Sequence, residues 1–171
     1  RYDHVVNLSV WVVRTILMLH ENTVVLLCRY FGEDMRRRGK GYILNMSSMS
    51  AWFSYPDISL YASTKCFLKS FSRAFRLEML DYGVNVTTVC PGAVSTNLYK
   101  LPLHLQRLAV RIGVMMKPET LAHRAINGMF RRRAQMIPGV INYFFIGFML
   151  LWPYGLVRWT MKKVKKAIGN E

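Results

Sequence analysis

Two short apolar runs on either side of one long amphipathic stretch restrict this chain more than any other feature. Tyr42-Ile43-Leu44-Asn45-Met46 lies between a glycine turn and a serine cluster and reads as a buried strand. Val84 to Cys90 is rich in β-branched residues and stops at Pro91-Gly92, so it reads as a second buried strand. A polar loop from Ser47 to Ser59 follows the first run. Leu60 to Asp81 then repeats apolar residues three and four apart (Phe67, Leu68, Phe71, Phe75, Leu77), with Gly83 just beyond. That is a helix of about six turns. Strand, long helix and strand with short links make a βαβ unit, which belongs in a parallel sheet with helices on both faces. The expected fold class is α/β.

The flanks extend this plan. Val5 to Met35 is mostly apolar and reads as two helical pieces, the second from about His20 to Arg38, with Gly39 as its stop. The closing Arg36-Arg37-Arg38 run suits a helix C-terminus, where cations meet the negative end of the macrodipole. Leu98 to Met116 is amphipathic and basic. Pro118-Glu119 starts another helix that runs to Arg131-Arg132-Arg133, and Ala134 to Ile137 forms one more candidate strand.

Charge narrows the partners. The chain has 24 Lys and Arg against 9 Asp and Glu, a net +15, yet 52% of its 171 residues are hydrophobic. Such a chain can bury a core and is not a disordered basic tail. Nucleic acid, an anionic membrane face and an acidic small ligand are the partner classes that this charge invites. No nucleic-acid recognition motif is present and both Arg triplets fall at helix ends, so no nucleic-acid partner is expected. Cys28, Cys66 and Cys90 are far apart and read as buried thiols in a reducing compartment, which favours a cytoplasmic location.

Chemistry concentrates around the βαβ unit. Tyr61 and Lys65 stand four apart at the start of the long helix, hence on one face. Ser48 lies thirteen residues before Tyr61, at the end of the first strand. A parallel sheet puts ligands at the carboxyl ends of its strands, where Ser48 and the Pro91-Gly92 loop both fall. A free tyrosine titrates near ~10, and a neighbouring ammonium favours its phenolate. Tyr61 with Lys65 can therefore exchange a proton with a carbonyl oxygen, and Ser48 can donate a hydrogen bond to the same oxygen. None of the three supplies reducing equivalents, so a hydride carrier is needed beside them.

With these residues, and Pro91-Gly92-Ala93-Val94-Ser95-Thr96 after the second strand, the chain resembles the short-chain dehydrogenase/reductase family. The resemblance covers about His20 to Thr96, and more loosely the helices to Pro138. It implies a partial Rossmann-like, doubly wound sheet over residues 1–139 and NAD or NADP as cofactor. It makes Ser48, Tyr61 and Lys65 catalytic. Tyr61 and Lys65 also face the cofactor, Lys65 holding the ribose, while Pro91, Gly92, Val94 and Thr96 hold the nicotinamide carboxamide. The C-terminal third looks similar to 3-oxoacyl and 17β-hydroxysteroid reductases. The Leu-, Met- and aromatic-rich helices after Thr96 suit a lipophilic carbonyl or alcohol substrate. The resemblance also allows a homo-oligomer, and a catalytically inactive scaffold is the alternative.

Two departures stand out. The family's helix asparagine, which completes a proton relay through water, is replaced by His20, with Asn22 two positions on; His20 is either a relay or an ordinary helix-face histidine. No Gly-rich phosphate turn is present, and Gly39-Lys40-Gly41 is only a turn. The family pattern expects about three further β–α units ahead of Arg1, roughly 90 residues at ~30 per unit, so the chain reads as a fragment that binds cofactor poorly. Residues 140–171 form a tail. Val140 to Val157 carries no charge and is followed by Arg158, Trp159 and the lysines at 162–166. Two short helices broken near Trp152-Pro153 are expected. They serve as an interfacial membrane anchor, a lid over the substrate pocket, or a membrane span.

Overall fold

The computed structural model describes residues 4–53, 57–96, 102–153, 155–160 and 163. Helix α1 (Val10–Leu17) starts at Ser9, whose hydroxyl accepts the Val12 amide at 3.3 Å. The two helical pieces expected from the sequence are one: α1 continues into α2 (Thr23–Arg38) through a π-helical turn at Met18–Asn22. Such turns insert a residue without ending the helix and often mark functional positions. This one carries His20. At the far end Arg38 pairs with Asp34 at 2.8 Å, and Gly39 closes the helix in the left-handed conformation, φ 69°.

Strand β1 (Gly41–Met46), helix α3 (Ser59–Leu80) and strand β2 (Val84–Val89) form the anticipated βαβ unit. The strands run parallel, from Gly41 opposite Val84 to Met46 opposite Val89. Strand β5 (Gln135–Met136) adds to the other edge of β2, also parallel, which gives the order β1-β2-β5. All six residues of β2 are buried. Alternation sends Val84 and Val86 to one face, against Met79 and Phe75 of α3 and Met35 of α2. Val89 faces the other way, against Leu121 and Ala125 of α5 (Pro118–Phe130). Helices thus cover both faces of a parallel sheet, as a doubly wound fold requires.

The stretch from Leu98 to Met116 is not one amphipathic element. Among its described residues, only Leu103–Arg111 is helical (α4), and Gly113 turns the chain at φ 79°. Met115–Met116 (β4) then pairs in parallel with Ala93–Val94 (β3), and the Ser95 amide reaches Met116 O at 2.9 Å. Backbone pairing to the loop after β2 outweighs local apolar periodicity here. Residues 97–101 lie outside the described set. In the tail, α6 (Val140–Leu151) ends at Trp152-Pro153 and a further helical turn spans 155–160. The break falls where the sequence places it, because proline lacks an amide and drives its predecessor out of the helical region.

Candidate active site

The carboxyl ends of β1 and β2 are tied together before any side chain is considered. Ser47 N donates to Val89 O at 2.8 Å and Met49 N to Pro91 O at 2.9 Å, so the serine pair and the Pro91-Gly92 loop move as one. Ser48 is buried, in extended backbone, and its hydroxyl accepts the Ser50 amide at 3.1 Å. The hydroxyl's proton stays available to donate elsewhere. Ser47 Oγ donates to Lys65 O at 2.6 Å, which fixes the first turns of α3 against the end of β1.

Lys65 crosses the same gap. Its Nζ donates to Met46 O at 3.1 Å and stands 5.6 Å from the centre of the Tyr61 ring. Burial pushes its pKa below the usual lysine range. A Cys90 thiolate would act in the opposite sense, but burial pushes the Cys90 thiol up to about 11, so it is uncharged at neutral pH. One of the three ammonium hydrogens is used on Met46 O, leaving two for a ligand.

His20 joins from the π turn. Its ring lies edge-on to Tyr61, centroids 5.9 Å apart, and its Nδ1 is 2.9 Å from the buried Thr64 hydroxyl. That hydroxyl spends its single hydrogen on Tyr61 O at 2.8 Å, so Nδ1–H must be the donor to Thr64. His20 Nε2 then keeps its lone pair. Burial first, and the Lys65 ammonium second, hold its pKa below the ordinary histidine value.

Tyr61, Lys65 and His20 therefore lie together at the start of α3, and Ser48 stands at the adjoining carboxyl end of β1. Gly92 and Val94 sit half-buried on the adjoining loop, and Thr96 is exposed at its end. Three contributors were not anticipated: Ser47, Thr64 and Asn142. Thr64 was legible as the residue one helical turn after Tyr61. Asn142 lies in the uncharged run from Val140 to Val157, where nothing local singles it out. It is buried on α6 against Gly92, where an added Cβ would come within 2.3 Å of its Oδ1. Its amide donates to Pro138 O. The free hydrogens of Lys65 beside the tied Pro91-Gly92 loop fit the nicotinamide and ribose end of a dinucleotide. Among the described residues none forms a Gly-rich cradle for the pyrophosphate.

Comparison with known proteins identifies the family. The family model for the short chain dehydrogenase matches residues 7–102. Very-long-chain 3-oxoacyl-CoA reductase-A of Danio rerio is 34% identical over 89 residues, 52% of this chain and 28% of that protein. The 17-beta-hydroxysteroid dehydrogenase type 3 of Mus musculus is 35% identical over 85 residues, 48% of this chain and 28% of that protein. Both names fall in the branch to which the C-terminal third was likened. The crystal structure of a gluconate 5-dehydrogenase from Burkholderia cenocepacia, in complex with NADP and tartrate, superposes with a TM-score of 0.68 at 18% identity. It covers 80% of this chain and 58% of that one. The matches span 14% to 35% of the lengths of the curated relatives. A match over more than half of the chain, on a parallel sheet with the Ser48, Tyr61 and Lys65 cluster at its carboxyl end, shows that this chain belongs to the short chain dehydrogenase family.

Proposed function

We propose that the protein is an NAD(P)-dependent oxidoreductase that interconverts a carbonyl and a secondary alcohol on a lipophilic substrate. The observation that carries this reading is the Lys65 ammonium, partly desolvated and anchored to Met46 O beside the Tyr61 ring. When bound, the dinucleotide supplies or accepts the hydride. Tyr61 gives its proton to the carbonyl oxygen during reduction and takes one back during oxidation. Lys65 favours the phenolate and turns its free hydrogens to the ribose hydroxyls. Ser48 donates to the substrate oxygen as charge develops there. His20, through Thr64, braces the helix turn that carries Tyr61 and offers Nε2 to a relay water. Pro91, Gly92, Val94 and Thr96 face the carboxamide. In the full natural protein, assayed with NADH and NADPH on a lipophilic ketone, Tyr61→Phe is expected to lower kcat by roughly 100-fold or more with cofactor affinity unchanged. Unchanged turnover would overturn the Tyr61 assignment, and absence of turnover in the unsubstituted protein would favour the scaffold alternative.

We infer further that α6 serves as both lid and interfacial contact. One side is docked: Asn142 and Ile146 are buried and Phe145 meets Phe53 edge-on at 5.7 Å. The opposite side leaves Val140, Phe144 and Leu151 at 74%, 73% and 85% exposure. Twelve helical residues reach about 18 Å, short of a ~30 Å hydrocarbon core, which favours lying in the interface over spanning it. The apolar outer side of α1 and α2, with Trp11, Tyr30 and Phe31 exposed, offers a separate surface for pairing of subunits.

A further inference from the structure

Beyond the proposed active site, the turn after α5 arranges three arginines around a cleft that no acid shares. Arg132 adopts φ 57°, a left-handed conformation that a bulky residue holds only when its surroundings enforce it. Here they do. Arg76 Nη2 donates to Arg132 O at 3.0 Å while its Nη1 holds Val86 O at 2.9 Å, and Thr87 Oγ1 donates to Arg133 O at 2.7 Å. The Arg133 amide closes the turn on Gly128 O at 3.1 Å. The result is a cleft of about 400 Å³ between α5 and α6, lined by Arg124, Asn127, Arg131, Arg133, Gln135 and Tyr143 among others. Among the described residues no Asp or Glu lines it. Glu119, the one acid described after Asp81, sits in the first turn of α5, about 18 Å along the helix from Arg131.

The cleft opens onto the exposed side of α6. Val140 and Tyr143 line it, and Phe144, Phe148 and Leu151 continue from them along the helix at spacings of three and four. Three exposed arginines at a backbone turn held by Arg76 and Thr87, beside an uncharged aromatic ridge, match a ligand whose anionic head adjoins an apolar body. A second copy of this chain is disfavoured, because its own arginines would meet these ones. A nucleic acid is disfavoured by the uncharged ridge that extends from the cationic groove.

We propose that this cleft is a headgroup site for an anionic phospholipid, in which Arg124, Arg131 and Arg133 hold the lipid phosphate while the ridge of α6 enters the interfacial region. The proposal rests on the interfacial reading of α6. The test is co-sedimentation of the full chain with phosphatidylcholine vesicles, with and without phosphatidylglycerol, alongside thermal unfolding of each variant. Arg131→Gln with Arg133→Gln is expected to weaken binding to the phosphatidylglycerol vesicles by about fivefold per arginine, leaving binding to neutral vesicles and the unfolding temperature unchanged. Arg36→Gln with Arg37→Gln, the same loss of charge on another face, is expected to retain more of the binding. Phe144→Ser with Phe148→Ser is expected to lose both vesicles. Equal loss in the two arginine pairs, or none in either, overturns the cleft and leaves the interfacial reading standing. Full release by soluble glycerol 3-phosphate overturns the lipid in favour of a free phosphate ligand. Wild-type chain that ignores both vesicles overturns cleft and interfacial reading together.

Discussion

At the scale of single residues, the hydroxyl of Thr64 decides what His20 can do. With its hydrogen committed to Tyr61 O, it can only accept from His20, so the imidazole is held as the Nδ1–H tautomer with Nε2 open. A group placed this way acts on Tyr61 indirectly. His20→Ala is expected to lower kcat by less than the roughly 100-fold of a direct acid or base, with cofactor affinity unchanged. An unaltered kcat would remove His20 from the relay. The same residue sets a pH signature in stability. Burial and the Lys65 ammonium hold its folded pKa below the ordinary histidine value, so the unfolded chain takes up the proton first as pH falls. Stability is therefore lost from about 6.5 downward until the folded pKa is passed, and is unaffected above it. Denaturant titrations across pH 5 to 8 should show this slope diminished in His20→Gln.

At the scale of elements, the parallel pair β1 and β2 depends on how closely its two entry turns approach. Gly83 holds φ 73° at the end of the α3–β2 turn, and a Cβ there would lie 2.2 Å from Gly39 O, a backbone atom that cannot swing aside. Gly83→Ala combines left-handed strain with that clash and is expected to destabilise the protein by about 2–3 kcal/mol, read as a lower urea midpoint at constant slope. The π turn shows the complementary lesson. Apolar periodicity on either side of it is legible in the sequence, yet the inserted residue shifts the phase and makes one helix look like two. Likewise the periodicity of the stretch before Pro118 gave no sign of β4, whose two residues extend only because Ala93–Val94 is there to pair with.

At the scale of the whole molecule, the proposed proton-transfer residues gather at one end of the sheet, and no Gly-rich phosphate turn stands among the described residues. The edge of β1 away from β2 has no neighbouring strand among the described residues. Lys65 and the Pro91-Gly92 loop contact only the nicotinamide and ribose end in the proposed complex. Calorimetry on the 171-residue chain is therefore expected to show weak binding of NADH and NADPH; tight binding would place a pyrophosphate site elsewhere on it. The net +15 also resolves spatially. Arg36 stacks on Tyr82 at 4.6 Å, Lys163 on Trp159 at 4.2 Å, and Arg124, Arg131 and Arg133 line the cleft below α6.

The βαβ plan was legible in sequence alone, as was the spacing that nominates Tyr61, Lys65 and Ser48, because each rests on spacing along one element or across one short link. Helical offset four puts Tyr61 and Lys65 on one face, and a buried apolar run ending in serines can only be a strand end. What tertiary structure decided were the contacts between distant segments: His20 with Thr64, Asn142 with Gly92, Arg76 and Thr87 with the arginine turn. No local pattern encodes them. They join residues 44 to 56 positions apart, and only packing of the helices on the sheet chooses which side chains meet.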